Sequence, residues 1–149
     1  MVGTYQEHDL PQEVARLISK PLVSALLDGS MEPELIEGWG INNDATEFRF
    51  KLKDGLLWSD GSRIQLSEVN INIPNTQVSF PDERTIQFKL KEPYSPLPSL
   101  LTKPIFKKGS LLGTGPYSVS KVEKSRIFIT KITLTSASGD LPAVYIRFY

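Results

Sequence analysis

From Phe48 to Lys53 apolar and basic residues take strict turns: Phe48, Phe50 and Leu52 are interleaved with Arg49, Lys51 and Lys53. Successive side chains leave a strand on opposite faces, so this run can bury one face and wet the other only as a half-covered β-strand. The pattern returns at Thr85 to Leu90, where Ile86, Phe88 and Leu90 are expected inward and Gln87 and Lys89 outward. Gln77 to Phe80 and the turn residues Pro81-Asp82-Glu83 precede it, which predicts a hairpin. Asp54-Gly55 closes the first alternating run as a turn, and Leu56 to Trp58 is expected to begin a return strand before a second turn at Asp60-Gly61. Leu22 to Leu27, ended by Asp28-Gly29, reads as a short strand. Tyr117 to Val122, Ile127 to Leu134 and Val144 to Phe148 read as three more.

Helical signals are few. Val2 to Tyr5 is a short β-prone opening. Asp9 then stands where a cap belongs, with Gln12 three residues on as in a capping box, and Leu10, Val14, Leu17 and Ile18 share a face before Pro21 stops the helix. Glu32 to Glu37 and Ser67-Glu68 suggest single helical turns. Pro93, Pro96 and Pro98 interrupt a stretch whose Leu97, Leu100 and Leu101 are expected to cover the sheet as a short helix or irregular lid. No repeat, low-complexity tract or linker divides the chain, so residues 1–149 are expected to form a single domain. Strands outnumber helices, and the class is α+β, β-rich, with a mixed sheet and few short helices.

Composition narrows function by exclusion. A chain of 149 residues buries about 70% of its unfolded surface, enough for one core. Seventeen basic and seventeen acidic residues cancel, so no bulk field draws nucleic acid or anionic lipid to it. The absence of cysteine removes thiol nucleophiles and cysteine zinc sites, and His8 is the only histidine, so a histidine-rich metal site cannot form and a serine triad would have to use His8 as its base. No cofactor is expected. The longest apolar runs fall far short of the roughly 20 residues that cross a bilayer.

Several motifs invite chemistry and are explained more simply. Trp58-Ser59-Asp60-Gly61 can pose as an aromatic beside a carboxylate, but a buried tryptophan and a self-bonded aspartate turn account for it. Asp54, Asp60 and Glu68 would have to stand about 5 to 9.5 Å apart in pairs to act as glycosidase carboxylates. Turn and cap duties explain all three. Gly113-Thr114-Gly115-Pro116-Tyr117 lacks the lysine and following helix of a phosphate-cradling loop, which leaves a tight turn before a strand. Lys103, Lys107 and Lys108 read as solvated loop charges. Tyr5, Gln6, Glu7 and His8 differ, because polar residues between a first strand and a helix commonly face a cleft. They are the candidate ligand-binding residues; flanking a helix start is the simpler alternative.

Read in order, Pro33-Glu34-Leu35-Ile36-Glu37-Gly38-Trp39, Asn43-Asp44 and the run from Phe48 to Gly61 lead to Leu66-Ser67-Glu68-Val69, Thr85 to Tyr94 and Gly113 to Tyr117. This series resembles the family 5 extracellular solute-binding proteins, the group of oligopeptide, dipeptide and nickel binding proteins that serve ABC importers. The resemblance implies the first lobe of a two-lobed clamp that binds short peptides, nickel chelates or oligosaccharides, works with a membrane permease and a second lobe, touches no nucleic acid and is not an enzyme. It also implies an extracellular or periplasmic, membrane-anchored protein with a signal segment upstream of Met1, and it places the Tyr5 to His8 loop on the ligand side, with Glu7 pairing an amino group and Tyr5 stacking. Two departures stand out. After Val69 the family continues into a long helix and a helical subdomain, whereas Asn70 to Pro74 is short and polar, and the chain stops at Tyr149 near the crossover to the second lobe. Weak ligand binding by this portion alone is expected. A solute-sensing domain of a transcriptional regulator is the alternative role, and a β-rich glycan-binding or hydrolase module a more distant one.

Overall fold

The computed structural model describes residues 3–7, 9–136 and 138–149. Its single α-helix among those residues, α1 (Gln12–Ile18), buries Val14 and Ile18, as the spacing predicts, together with Ala15, while Leu17 is half-buried and Leu10 precedes the helix. The expected cap at Asp9 does not form. Pro11 occupies the cap position with φ −54° and ψ 141°, which delays the helix to Gln12 and carries Asp9 out of reach of the first-turn amides. The Asp9 N–H instead donates to Gln6 O at 3.0 Å.

Strands β1 (Val23–Ala25) and β2 (Met31–Pro33) form a hairpin. Its tip is an aspartate turn in which Asp28 Oδ1 accepts from Ser30 N at 2.9 Å, and Gly29 takes φ +86°. Glu32 to Glu37, expected as a helical turn, is extended instead: Pro33 pairs with Val23, and β3 (Ile36–Ile41) follows at once. Tertiary pairing overrides the local glutamate-rich composition here. Strand β4 (Glu47–Leu52) runs between β3 and β6 (Thr85–Leu90), and β5 (Thr76–Asp82) lies outside β6. With both edges of β4 taken, Leu56 to Trp58 cannot return along it and keeps only one bridge, Leu57 to Arg63.

The register of this sheet aligns its aromatic residues. Phe48 stands opposite Phe88, Phe50 opposite Ile86 and Trp39 opposite Phe50, and Phe48, Phe50 and Phe88 are fully buried. The Phe50 and Phe88 rings meet edge to face at 5.8 Å. Gln87, expected outward, is buried as well. It lies on the polar face, where Arg49 Nε donates to its Oε1 at 2.8 Å and neighbouring strands cover it. The 3-10 turns Leu66–Glu68 and Leu97–Leu101 seat Leu66, Leu97 and Leu101 in the same core. From Val69 the chain passes to β5 without a helix, and Asn70 clamps it to the Phe106 backbone in both directions.

A second core forms where α1 packs on β7 (Tyr117–Ser125), β8 (Phe128–Ser136) and β9 (Val144–Arg147), with Val14, Ile18, Tyr117, Ile132 and Leu134 inside. The strand order is β7-β8-β9, and every strand pairing among the described residues is antiparallel. The expected mixed sheet is thus three antiparallel ones, and the β-rich character with few short helices holds.

The chain leaves the second core after Ile18 and returns near Gly115, and the two crossings are bolted together. Ser19, 1% exposed, donates from Oγ to Ile105 O and accepts from Thr114 N at 3.1 Å. Lys20 N donates to Thr114 Oγ1 at 3.1 Å, and Gly115 N to Ile18 O at 2.7 Å. Ser19→Ala strands the buried Ile105 carbonyl and the half-buried Thr114 amide, and is expected to lower unfolding free energy by about 2 kcal/mol in urea titration.

Candidate functional site

A cleft of ≈ 350 Å³ opens where the two cores face each other. Ser59, Ser110, Leu111 and Leu112 line it from the four-stranded-sheet side. Glu7 and three residues of β7, Ser118, Val119 and Val122, line it from the other. Its width is set close by: Ser59 N donates to Gly113 O at 2.8 Å, so the Ser59 turn and the Leu111–Leu112 wall hang on the segment that meets Ser19. The four aliphatic side chains are half-buried, and beside lining the cleft Leu112 packs against the first core and Val119 and Val122 against the second.

The candidate ligand residues separate on this geometry. Glu7 lines the cleft, and its Oε1 pairs with Lys124 Nζ at 2.7 Å across an exposed rim. Tyr5 packs edge to face on Phe148 at 5.4 Å, and its carbonyl accepts from Ile129 N at 2.8 Å, so it closes the second core. Gln6 is half-buried and its carbonyl holds the turn to Asp9. His8 lies outside the described residues. The serines and aliphatic residues of the cleft were not legible in advance: Ser59 reads as part of a turn, and Ser110 to Leu112 precede a glycine motif with no pattern of their own.

The motifs that invited chemistry are occupied with structure. Trp58 is 2% exposed in the first core, and its Nε1 finds no acceptor among the described residues. Asp54 stands 3.9 Å from Arg84, and Glu68 3.8 Å from Lys107. Lys103 and Lys108 are exposed, as loop charges should be. Asp60 Oδ1 accepts from the Ser62 hydroxyl at 2.5 Å and its amide at 2.9 Å, while Gly61 takes φ +88°. Those two bonds, hydroxyl first, hold the Asp60 carboxyl below its ordinary 3.8, with a smaller contribution from Lys107.

A depressed folded-state pKa contributes stability above the unfolded value, lost as pH falls through the folded one. Asp28 and Asp82 are lowered in the same way, by bonds to Ser30 and to Arg84 N and Thr85 respectively. Thermal stability is therefore expected to be flat in these groups from pH 7 to about 5 and to fall below about 4. Asp60→Asn should flatten part of that acid slope, read by melting temperature against pH.

Among the described residues no three metal-ligating side chains gather, and no helix is long and apolar enough to cross a membrane.

No protein-family model matches the chain. A probable peptide ABC transporter periplasmic-binding protein of Sinorhizobium fredii is 29% identical over 107 residues, 62% of this chain and 20% of that protein. The solved structure of the periplasmic-binding protein AgaA of A. tumefaciens R10, in complex with agropinic acid, superposes with a TM-score of 0.70 at 22% identity, over 93% of this chain and 35% of that one. NikZ of Campylobacter jejuni, in complex with Ni(L-His), superposes with a TM-score of 0.73 at 18% identity, over 97% and 36%. The chain thus spans about a fifth of the curated relative and about a third of the solved ones. Its fold is that of a partial periplasmic-binding-protein lobe. The likeness to family 5 solute-binding proteins read from the motifs is borne out.

Proposed function

We propose that this chain is part of the first lobe of the substrate-binding protein of an ABC importer, capturing a short peptide or similar small solute outside the cytoplasmic membrane and delivering it to a permease. The observation that carries this reading is the superposition of 97% of the chain on NikZ, solved with Ni(L-His), at a TM-score of 0.73, joined to 29% identity with a probable peptide ABC transporter periplasmic-binding protein. The S. fredii relative makes short peptides the default ligand; AgaA and NikZ, solved with agropinic acid and Ni(L-His), show the same fold holding other small solutes.

The mechanism is capture without chemistry. Solute binds between two lobes, the closed population rises by the difference in its affinity for closed and open forms, and the closed form docks on the permease. In this reading the second lobe lies elsewhere in the same polypeptide, which is held at the membrane surface. Glu7, with Gln6 beside it, faces the solute, while the Tyr5 ring packs on Phe148 in the second core, and no bond of the solute is made or broken.

Titration calorimetry of the full polypeptide against short peptides, an opine and a nickel-histidine chelate tests this. One class is expected to bind with a dissociation constant on the order of micromolar or tighter. Silence with every peptide removes the default ligand, and silence with the whole panel removes the reading.

A further inference from the structure

The cleft between the two cores has a chemical character beyond being a gap. Leu111 and Leu112 face Val119 and Val122, four aliphatic side chains that in an unconstrained chain would close over one another and expel water. The segment that carries the leucines is fixed at Gly113 and Gly115. At both glycines an added Cβ would lie 2.6 Å from the Ile18–Ser19 segment, so the two crossings already touch. The result is a pre-formed apolar slot, and three hydroxyls, of Ser59, Ser110 and Ser118, stand at its sides.

Glu7 is the one charged residue in its lining among the described residues. Lys124 holds Glu7 Oε1 from outside the lining, and the exposed pair is weak and exchangeable. A carboxylate has about four acceptor positions, so a second ammonium can share it. The volume, ≈ 350 Å³, lies at the low end of the range for small-ligand pockets, about 300 to 1,000 Å³.

We infer that this cleft is a subsite for an alkylammonium group, an aliphatic chain ending in a primary amine such as the side chain of a lysine-like residue. The aliphatic part lies between the leucines and valines, and the ammonium reaches Glu7. This rests on the importer reading only in taking the Glu7 loop as ligand-facing.

The test is methyl NMR of the full polypeptide, following Leu111, Leu112, Val119 and Val122 while n-pentylamine, n-pentanol and pentanoate are titrated in. Pentylamine is expected to shift these methyls with at least tenfold higher affinity than pentanoate. Glu7→Gln should bring pentylamine down to the pentanol value while leaving pentanol unchanged, and Val119→Phe should block both. Ser110→Leu, on the loop side, fills the same space should Val119→Phe not fold. Equal binding of pentanoate, an undiminished amine preference in Glu7→Gln, or no shift at these methyls overturns the inference. Those outcomes leave solute capture by calorimetry intact, whereas failure of the importer reading shows there and not here.

Discussion

Gly115→Ala is expected to lower unfolding free energy by at least about 3 kcal/mol, a fall in melting temperature of about 6–12 °C for a chain of this size. The added Cβ would stand 2.6 Å from Ile18 C, 2.7 Å from Ile18 O and 2.7 Å from Ser19 N. All three are backbone atoms, so no flexible side chain can swing away. Relief requires separating the two crossings, which breaks the Gly115 N to Ile18 O bond and strains the Ser19 and Thr114 bonds beside it. Gly38→Ala is the control. Nothing lies within 4 Å of its added Cβ and its φ is not left-handed, so the expected change is under about 1 kcal/mol. Equal urea midpoints for the two variants would refute the tight crossing.

Phe50→Ala is expected to cost about 3–5 kcal/mol, the range for emptying an aromatic site in a core. Phe50 is fully buried at the centre of the four-stranded sheet, with Trp39, Phe48 and Phe88 rings at 6.0, 6.4 and 5.8 Å. Deleting it removes three ring contacts and leaves a void that paired strands on both sides cannot fill by moving together. Phe80→Ala, on edge strand β5 and 44% exposed, should cost less than about 1 kcal/mol. Chemical denaturation of both variants checks the contrast, and comparable losses would mean that the core is not where the ring packing puts it.

Local pattern foretold the parts of the fold that local physics decides. Alternation at Phe48, Phe50 and Leu52 marked β4, and the hairpin of β5 and β6 followed from its own turn residues. What escaped depends on partners distant in the chain. Gln87 looks like a wet residue until Arg49, 38 positions away, is laid beside it. Glu32 to Glu37 has helical composition, but Val23 and Leu22 recruit the Pro33–Glu34 backbone into pairing. Gly113 and Gly115 suggest a turn, yet neither has a left-handed φ; they are small because another backbone passes against them, and no neighbour in sequence reveals that. The cleft is the extreme case. Glu7, Ser59, Ser110 and Val119 come from four separate stretches, so Glu7 was legible from its place before a helix while its companions were not. Tyr5 sits in the same short loop, and its ring turns the other way, into the core.

In the proposed function these strands form one jaw of a hinged clamp. Small-angle scattering of the full polypeptide, with and without a saturating solute identified by calorimetry, reads that motion directly. The radius of gyration is expected to contract when solute binds, as the second lobe closes on this one. Superimposable curves at proven saturation would contradict a closing trap.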